Sequence, residues 1–341
     1  MAESQRPRAA RPTMNDVAQA AGVGLKTVSR VVNGESGVLD GTAERVREAI
    51  ERLGYRRNDS ARLLRRGQTA SVGLVIEDVA DPFYSELTRA VEEVTRQHGS
   101  LVFTGSSHES AERERELVLA FCARRVDGLV VVPAGTSHSY VLPEVAAGIA
   151  VVFVDRPPGD IDADTVLSAN SSGAREGVHH LLRRGHRRIA FVGDSPDIFT
   201  AAQRLEGYLG ALREAEVAID ESLIVMGHPH QDFVRAALDN LLERTDAPTA
   251  LFTSNSRATV ATLRVLGTRS SRPALVGFDD FELADLLAPA VTVVAQDPTG
   301  LGRQAAELLF RRLGGDQGPT RHIELPTRLI PRGSGELPPA S

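Results

Sequence analysis

Apolar runs of four to six residues alternate with amphipathic segments from Ser71 onward. The intervening segments, such as Phe83–Gln97 and Ala111–Arg125, carry apolar residues at helical spacing. This alternation is typical of parallel sheets covered by helices on both faces. Ten runs are more than one doubly wound sheet usually holds, so we expect two α/β lobes. The runs interpreted as buried strands are SVGLVI, SLVFTG, GLVVVP, AVVFVD, TVLSA, RIAFVG, SLIVMG, TALFTS, ALVGFD and VTVVAQ.

The pattern before Ser71 is all helical, with three short helical patterns in residues 13–55 and no strand. Thr13 can cap a first helix that Gly22 ends, and a second helix begins near Gly24 or Leu25. The apolar positions that pack these two helices together are Val17, Ala18, Ala21, Val23, Val28 and Val32.

The second helix carries a polar stripe of Lys26, Ser29, Arg30 and Asn33, at the spacing of one helical face. A short helix with such a face, held by a Gly turn against another helix, is the arrangement that enters the major groove of DNA. The alternative is an ordinary helical hairpin with a solvated face. The Gly turn and the local positive charge favour the DNA-binding interpretation.

Composition separates a basic head from an acidic body. Residues 1–68 contain 13 Lys and Arg against 8 Asp and Glu, whereas the rest of the chain has 26 against 37. Only the head is therefore suited to a polyanion. Cys122 is the only cysteine, which excludes an internal disulfide and suits a reducing compartment. The sequence shows no membrane span or export signal, so we expect a cytoplasmic protein.

The segment DVAQAAGVGLKTVSRVVNGESGV resembles the N-terminus of the lactose/galactose repressor family. The resemblance continues in family order through ERVREAIERLGY, PFYSEL, VDGLVVVP, VFVDRPP, RRGHRRIAFVGD, QRLEGYLGAL, VGFDD and LPTRLIPRGS. It implies a homodimeric transcriptional regulator with a helix-turn-helix head, a pseudo-palindromic DNA operator and an effector-binding core shaped like a periplasmic sugar-binding protein.

The resemblance also assigns DNA contacts. It puts Leu25, Lys26 and Arg30 against bases, and Thr27, Ser29 and Asn33 against phosphates or the framework. Tyr55 is carried over as a further DNA-binding position. Gly24 departs from the family pattern, which commonly has a capping Ser there; Gly is the weaker cap by a few tenths of a kcal/mol.

Residues 58–69 resemble the family's hinge helix, which enters the minor groove. Asn58 and Ala61 match contact positions, and Leu64 matches a leucine that wedges between base steps, a device that bends DNA. The alternative is a flexible basic linker. Arg57 stands where the family usually has Pro, which favours looser, more electrostatic contact.

The expected domains are a disordered basic arm (1–12), the helix-turn-helix domain (13–57), the hinge (58–69) and the core (70–341). Within the core, the first lobe is expected over about 70–161 and 296–322, and the second over about 165–293 and 325–335. The three crossings between lobes should then fall near 161–165, 293–296 and 321–325.

Ligands of such folds bind at the carboxyl ends of strands, between the lobes. Polar and aromatic residues that follow strands and match family effector positions are Asp81, Phe83, Tyr84, Asp155, Asn255, Asp279 and Gln296. The resemblance adds Ile198 and Arg204. For Asp155 and Asp279 a role as helix N-caps is an equal alternative, although together they favour the cleft.

One departure concerns the kind of effector. Many carbohydrate-binding members have an Arg where Ala202 stands, and the position that holds an anionic group in the purine-binding member is the apolar Ile198. Unless Arg156 or Arg257 turns inward, no cation is available for an anionic ligand. We therefore expect a neutral sugar or related polyol.

Other chemistry finds no support in the sequence. There is no Walker loop, and the His179–His180 and His228–His230 pairs lack partners at metal spacing. We predict no cofactor, no metal and no enzyme. An activator or a co-repressor-dependent regulator remains an alternative, as does a solute-binding protein. The tail GELPPAS lacks apolar heptads, so dimers are expected in place of tetramers.

Overall fold

The computed structural model describes residues 12–55, 69–269 and 272–339. The chain divides between Gln68 and Thr69 into a head and a core. The predicted arm (1–12) and hinge helix (58–69) lie almost entirely outside the described residues, and Asn58, Ala61 and Leu64 lie outside with them.

Three helices make up the described head: α1 (Met14–Ala21), α2 (Leu25–Asn33) and α3 (Asp40–Leu53). Thr13 and Asp16 form a capping box at the start of α1, in which the Thr13 N–H donates to Asp16 Oδ2 over 2.6 Å. Gly22 ends α1 in the left-handed conformation at φ 64°, which Gly adopts without a Cβ penalty. The chain therefore turns between α1 and α2 where the sequence predicts.

The head has one hydrophobic cluster, in which Val17 and Val28 are fully buried and α3 contributes Val46 and Ala49. Tyr55 belongs to the same cluster and is only 9% exposed. The ring of Tyr55 packs under the helices, and its assignment as a DNA-binding position stays a prediction. A single residue after a helix carries no sequence signal that separates these two roles.

The core contains two six-stranded sheets. The first lobe has the order β11-β5-β4-β3-β1-β2 and is parallel throughout; the second has β12-β10-β9-β8-β6-β7, with β12 antiparallel. The strands are β1 Ser71–Ile76, β2 Leu101–Ser106, β3 Gly128–Val131, β4 Ala150–Val154, β5 Asp164–Ser168, β6 Ile189–Gly193, β7 Ile224–Met226, β8 Ala250–Thr253, β9 Ala274–Phe278, β10 Thr292–Ala295, β11 His322–Leu325 and β12 Arg328–Ile330.

Helices cover both faces of each sheet, so alternate residues of one strand enter different clusters. Leu74 and Val75 of β1 lie in separate hydrophobic clusters, as do Leu251 and Phe252 of β8. The core helices are α4 Pro82–Gln97, α5 Ala111–Ala123, α6 Leu142–Ala146, α7 Asn170–Arg183, α8 Phe199–Glu214, α9 Gln231–Leu242, α10 Ser256–Leu266 and α11 Pro298–Leu313.

Two of the expected lobe crossings are wrong by a few residues. β5 pairs with β4 and β11 pairs with β5, so both strands belong to the first lobe. The chain first crosses at Ala169 and crosses for the last time at residues 326–327, between β11 and β12. An apolar run predicts a strand, but only its hydrogen bonds decide which sheet the strand joins.

The strand β2, expected to be buried, lies at the edge of the first sheet, with Leu101 70% exposed and Phe103 45% exposed. The pattern of apolar runs also did not predict β11 and β12. These short strands are partly exposed along their whole length, and three or four residues are too few to show a buried run.

We expect Gly24→Ser to stabilise the head. Gly24 precedes α2 at φ −71° without a side-chain cap, and nothing lies within 4 Å of the place of a Cβ. Ser would supply the cap and restrict the unfolded chain, together worth about 0.5–1 kcal/mol. Gly22→Ser is the matched control, because its left-handed φ should cost about 1 kcal/mol. Amide hydrogen exchange of α1 and α2 measures both variants, and lower protection in Gly24→Ser would contradict the cap.

Candidate functional site

The predicted effector residues lie around one cavity in the core, between the carboxyl ends of the two sheets. Phe83, Tyr84, Asp155, Ile198, Arg204, Asn255, Asp279 and Gln296 all line it. The cavity volume is about 50 Å³, far below the roughly 300–1,000 Å³ of ordinary ligand pockets. The cleft is therefore nearly closed, and a ligand must separate its walls.

Two aspartates occupy equivalent places in the two lobes. Asp155 follows β4 and Asp279 follows β9, each left-handed at φ 69°. Each N–H donates to the neighbouring strand over 2.9 Å, from Asp155 to Val166 and from Asp279 to Val294. The alternative of helix N-caps is wrong for both, since loops follow them. A left-handed backbone at a buried carboxylate is the kind of local strain that clusters at ligand sites.

The true N-caps at this edge are Asp81, which accepts from Phe83 N over 2.9 Å at α4, and Asn255, which accepts from Ala258 N over 2.8 Å at α10. The Asn255 amide also donates to Asp194 Oδ2 over 3.0 Å. Hydrogen bonds at the helix N-termini therefore fix both side chains at the edge of the cleft.

Arg204, on α8, is a buried anchor of the second lobe. It donates to Asn170 Oδ1 over 2.8 Å and to the Ser254 carbonyl over 2.6 Å, and it lies 3.7 Å from Asp279. Its guanidinium also sits 4.0 Å from the centre of the Phe278 ring. With these partners Arg204 fixes the wall and has little capacity left for an anion.

Arg156 does turn inward, although the sequence left this open. Its guanidinium holds Glu109 through two hydrogen bonds of 2.6 Å each and lies 3.7 Å from Glu77. Glu77 and Asp194 follow β1 and β6, so the strand-end rule could have found both. Glu109 lies in the loop before α5, where the sequence offers no signal.

Arg257 connects the two lobes. From the start of α10 it reaches Glu77 of the first lobe over 2.5 Å and Asp81 over 3.0 Å. A second cavity of about 380 Å³, lined partly by Pro82 and Phe281, lies on its other side. Arg257 lines both cavities, as do Asp81 and Ser256, so these three residues lie between them.

Burial is the largest influence on the pKa values of three cleft carboxylates, Glu77, Asp81 and Asp155. Burial and the adjacent Glu109 raise the pKa of Glu77 from 4.5 to about 7, against the opposing charges of Arg257 and Arg156. Burial also raises the pKa values of Asp81 and Asp155 above the usual range. The cleft therefore carries carboxylates whose charge is incompletely compensated.

In the head, Leu25 is 47% exposed and Lys26 is also exposed at the start of α2. Arg30 lies one turn further along the helix and is partly exposed. Asn33 donates to Ser29 Oγ over 3.3 Å, so two members of the polar stripe orient each other. The stripe thus occupies one accessible face of α2.

Two further findings concern the described residues only. None of their helices is long and apolar enough to span a bilayer. Their His, Cys, Asp and Glu side chains form no group of three that could hold a metal ion.

Two known protein families match this chain, one in the head and one in the core. Residues 13–58 match the bacterial regulatory proteins of the lacI family, and residues 178–335 match a periplasmic binding protein-like domain. The transcriptional regulator PtxS of Pseudomonas aeruginosa is 33% identical over 96% of this chain and 97% of its own length. CelR of Thermobifida fusca is 34% identical, with 96% and 99% covered.

Solved structures are similar over the same length. A lac repressor dimer bound to operator and the anti-inducer ONPF has a TM-score of 0.83 at 26% identity, with 96% of this chain and 99% of that chain covered. A CelR–cellobiose complex has a TM-score of 0.70 at 32% identity, with 95% and 100% covered.

A helix-turn-helix head joined to a binding-protein-like core defines a class of DNA-binding transcriptional regulators that sense small molecules. The full-length relatives are regulators, which decides against the solute-binding alternative. The chain belongs to the lacI family of bacterial regulatory proteins.

We expect Arg257→Gln to destabilise the core by about 1–2 kcal/mol, because it leaves Glu77 and Asp81 without their cross-lobe partner. This is less than a fully buried pair costs, since Arg257 is 38% exposed. Thermal unfolding measures the change, with Arg264→Gln, two turns along α10, as the control. Equal effects of the two substitutions would show that the cross-lobe pair contributes nothing.

Glu77→Gln should change the pH dependence of stability. Between the ordinary pKa of 4.5 and about 7, folded Glu77 keeps a proton that the unfolded chain has lost. Its contribution to stability is therefore complete below 4.5 and is lost as the pH rises through about 7. The melting temperature of the variant minus that of the wild type should rise from about pH 5 to pH 8. The exposed Glu116→Gln should show no such trend; a flat Glu77→Gln difference would contradict the shift.

Proposed function

We propose that this regulator represses transcription by binding a pseudo-palindromic operator as a homodimer, and that a small hydroxylated effector in the core cleft controls its operator affinity. The observation that carries the proposal is the convergence of eight sequence-predicted residues on one cleft spanning both lobes. The chain has, besides this cleft, an accessible recognition helix in its head.

In this proposal Leu25, Lys26 and Arg30 contact base edges in the major groove. Thr27, Ser29 and Asn33 position the helix on phosphates, and the hydrogen bond between Asn33 and Ser29 supports that arrangement. Lys26 is the strongest candidate for specificity, because it is exposed at the start of α2, where recognition helices reach bases.

The effector acts by shifting the balance between closed and open cleft. Any ligand that binds the two states with different affinity changes their populations, and operator binding changes with them. Arg257 bears directly on this balance, because its ion pairs with Glu77 and Asp81 exist only while the lobes are close. A co-repressor-dependent regulator, the alternative, differs only in which of the two states binds DNA.

Exposed apolar side chains support a homodimer. In the first lobe Leu101 and Phe103 lie on the edge strand β2, and in the second lobe Leu283 and Leu286 are 57% and 73% exposed. We assign these side chains to the contact between the two protomers. The related lac repressor forms an operator-bound dimer, and we place this regulator in the cytoplasm because its operator is there.

Lys26→Ala tests the DNA-binding half of the proposal. We expect it to lose about 1–3 kcal/mol of discrimination at one base pair of each half-site, because a lysine that reaches guanine acceptors reads one base. Binding-site selection followed by titration on matched and mismatched operators measures this. Arg47→Ala on α3, 62% exposed, removes equal charge elsewhere in the head and is the control. Equal weakening on all sequences would make Lys26 a phosphate contact only.

A further inference from the structure

The inner cleft has more acidic than basic groups. Among the described residues that line it, six are carboxylates and three are guanidiniums. The guanidiniums are Arg156, Arg204 and Arg257, and the carboxylates are Glu77, Asp81, Glu109, Asp155, Asp194 and Asp279. With all groups ionised the lining carries a net charge of −3, and with Glu77 protonated it still carries −2.

The cations are already engaged within the protein. Arg156 is bound to Glu109, Arg257 to Glu77 and Asp81, and Arg204 to Asn170 and the Ser254 carbonyl. An anionic effector would have to displace these partners, and it would add negative charge to a buried, already negative site. Phosphorylated and carboxylated ligands are therefore disfavoured, although three arginines line the cleft.

Among the buried polar side-chain atoms of the described cleft lining, one acceptor and one donor have no hydrogen-bond partner. The Gln296 amide donates to Asp279 over 2.6 Å, whereas its buried Oε1 has no partner. Asp155 is 3% exposed, accepts one long hydrogen bond from the Tyr84 hydroxyl over 3.3 Å, and lies 3.6 Å from Arg156 Nε, within ion-pair distance. That Nε is a buried donor without a hydrogen bond, and a ligand hydroxyl that contacts both it and Asp155 would satisfy both.

We propose that the effector is a polyhydroxylated compound with a protonated amine, an amino sugar or an aminated polyol, whose ammonium group is held by Asp155 and the adjoining cleft carboxylates. This inference rests on the proposed function of the cleft. An ammonium supplies three donors and one positive charge, and the described lining has three more carboxylates than guanidiniums to receive them. The remaining hydroxyls bind Gln296 and the carboxylate oxygens, as in any polyol.

Electrostatics distinguishes the amine from its neutral parent. Asp155 is buried with Arg156 Nε 3.6 Å away, but the lining as a whole keeps an excess of negative charge, and a neutral sugar leaves that charge in place. A cation beside Asp155 removes it at the moment of binding. Burial raises the pKa of Asp155 despite the nearby charges of Arg156 and Arg204, which is what an incompletely compensated carboxylate should show.

Matched ligands test the proposal on the full-length protein. Glucosamine, glucose and N-acetylglucosamine, with the corresponding galactose series, are titrated by thermal shift and calorimetry near pH 6.5, where the amines are protonated. We expect at least one amine to bind about tenfold or more tightly than both its parent and its N-acetyl derivative. The inference is overturned if a neutral sugar binds as tightly as its amine, or if no amine stabilises the core.

The variant Asp155→Asn identifies the group that holds the ammonium. Asn keeps the shape and tolerates the left-handed backbone, so the core should fold. We expect the preference for amine over parent to fall about tenfold, while the exposed Asp162→Asn leaves it unchanged. If Asp155→Asn does not fold, Asp194→Asn serves in its place, with a smaller reduction expected. An unchanged preference in the folded variant assigns the amine elsewhere and contradicts the proposal.

Operator binding separates this inference from the proposed function. If neutral sugars bind and release the operator while amines do not, the regulator functions as proposed and only the amine is wrong. If no ligand that binds the cleft alters operator affinity, the proposed effector control fails, whatever the ligand preference.

Discussion

Ion pairs of Arg257 join the two lobes of the core across the cleft. Arg257 stands on the second lobe, and its carboxylate partners Glu77 and Asp81 stand on the first. The chain passes between the lobes at Ala169 and at two later points, so each lobe can keep its own sheets and clusters while the cleft changes width. Because these ion pairs are partly exposed, they stabilise the closed state only modestly, and ligand binding can overcome them. That is a useful property for a sensor, whose two states must differ by only a few kcal/mol.

The inner cleft has rigid walls, and its lining contains more carboxylates than cations. Asp155 and Asp279 are fixed by strand hydrogen bonds in left-handed conformations, and Arg204 is anchored by backbone and side-chain partners. The walls are thus preorganised, while the carboxylates outnumber the cations. A site of this kind selects ligands by the hydrogen-bond donors and the positive charge that they bring. The apolar Ile198 and Ala202 therefore do not by themselves identify the ligand class.

Sequence reasoning performed best where one physical rule governs one short stretch. The boundary at Gly22, the cap at Thr13 and the polar stripe of α2 follow from local backbone and helix geometry. The strand-end rule brought Asp155, Asn255 and Gln296 to one cleft, because parallel strands end on the same edge of a sheet. The same rule assigned the aspartates' positions correctly but left open whether they cap helices.

By itself, then, the sequence determined the two-part organisation, the recognition helix and most of the cleft, since periodicity and turn chemistry act over a few residues. Tertiary structure alone decided that Tyr55 packs inside the head, that β5 joins the first sheet and that Arg156 and Arg257 face the cleft. These outcomes depend on residues far apart in the chain, such as Arg257 and Glu77, which are 180 positions apart. No local pattern encodes such a pair; it exists only because the two lobes lie against each other.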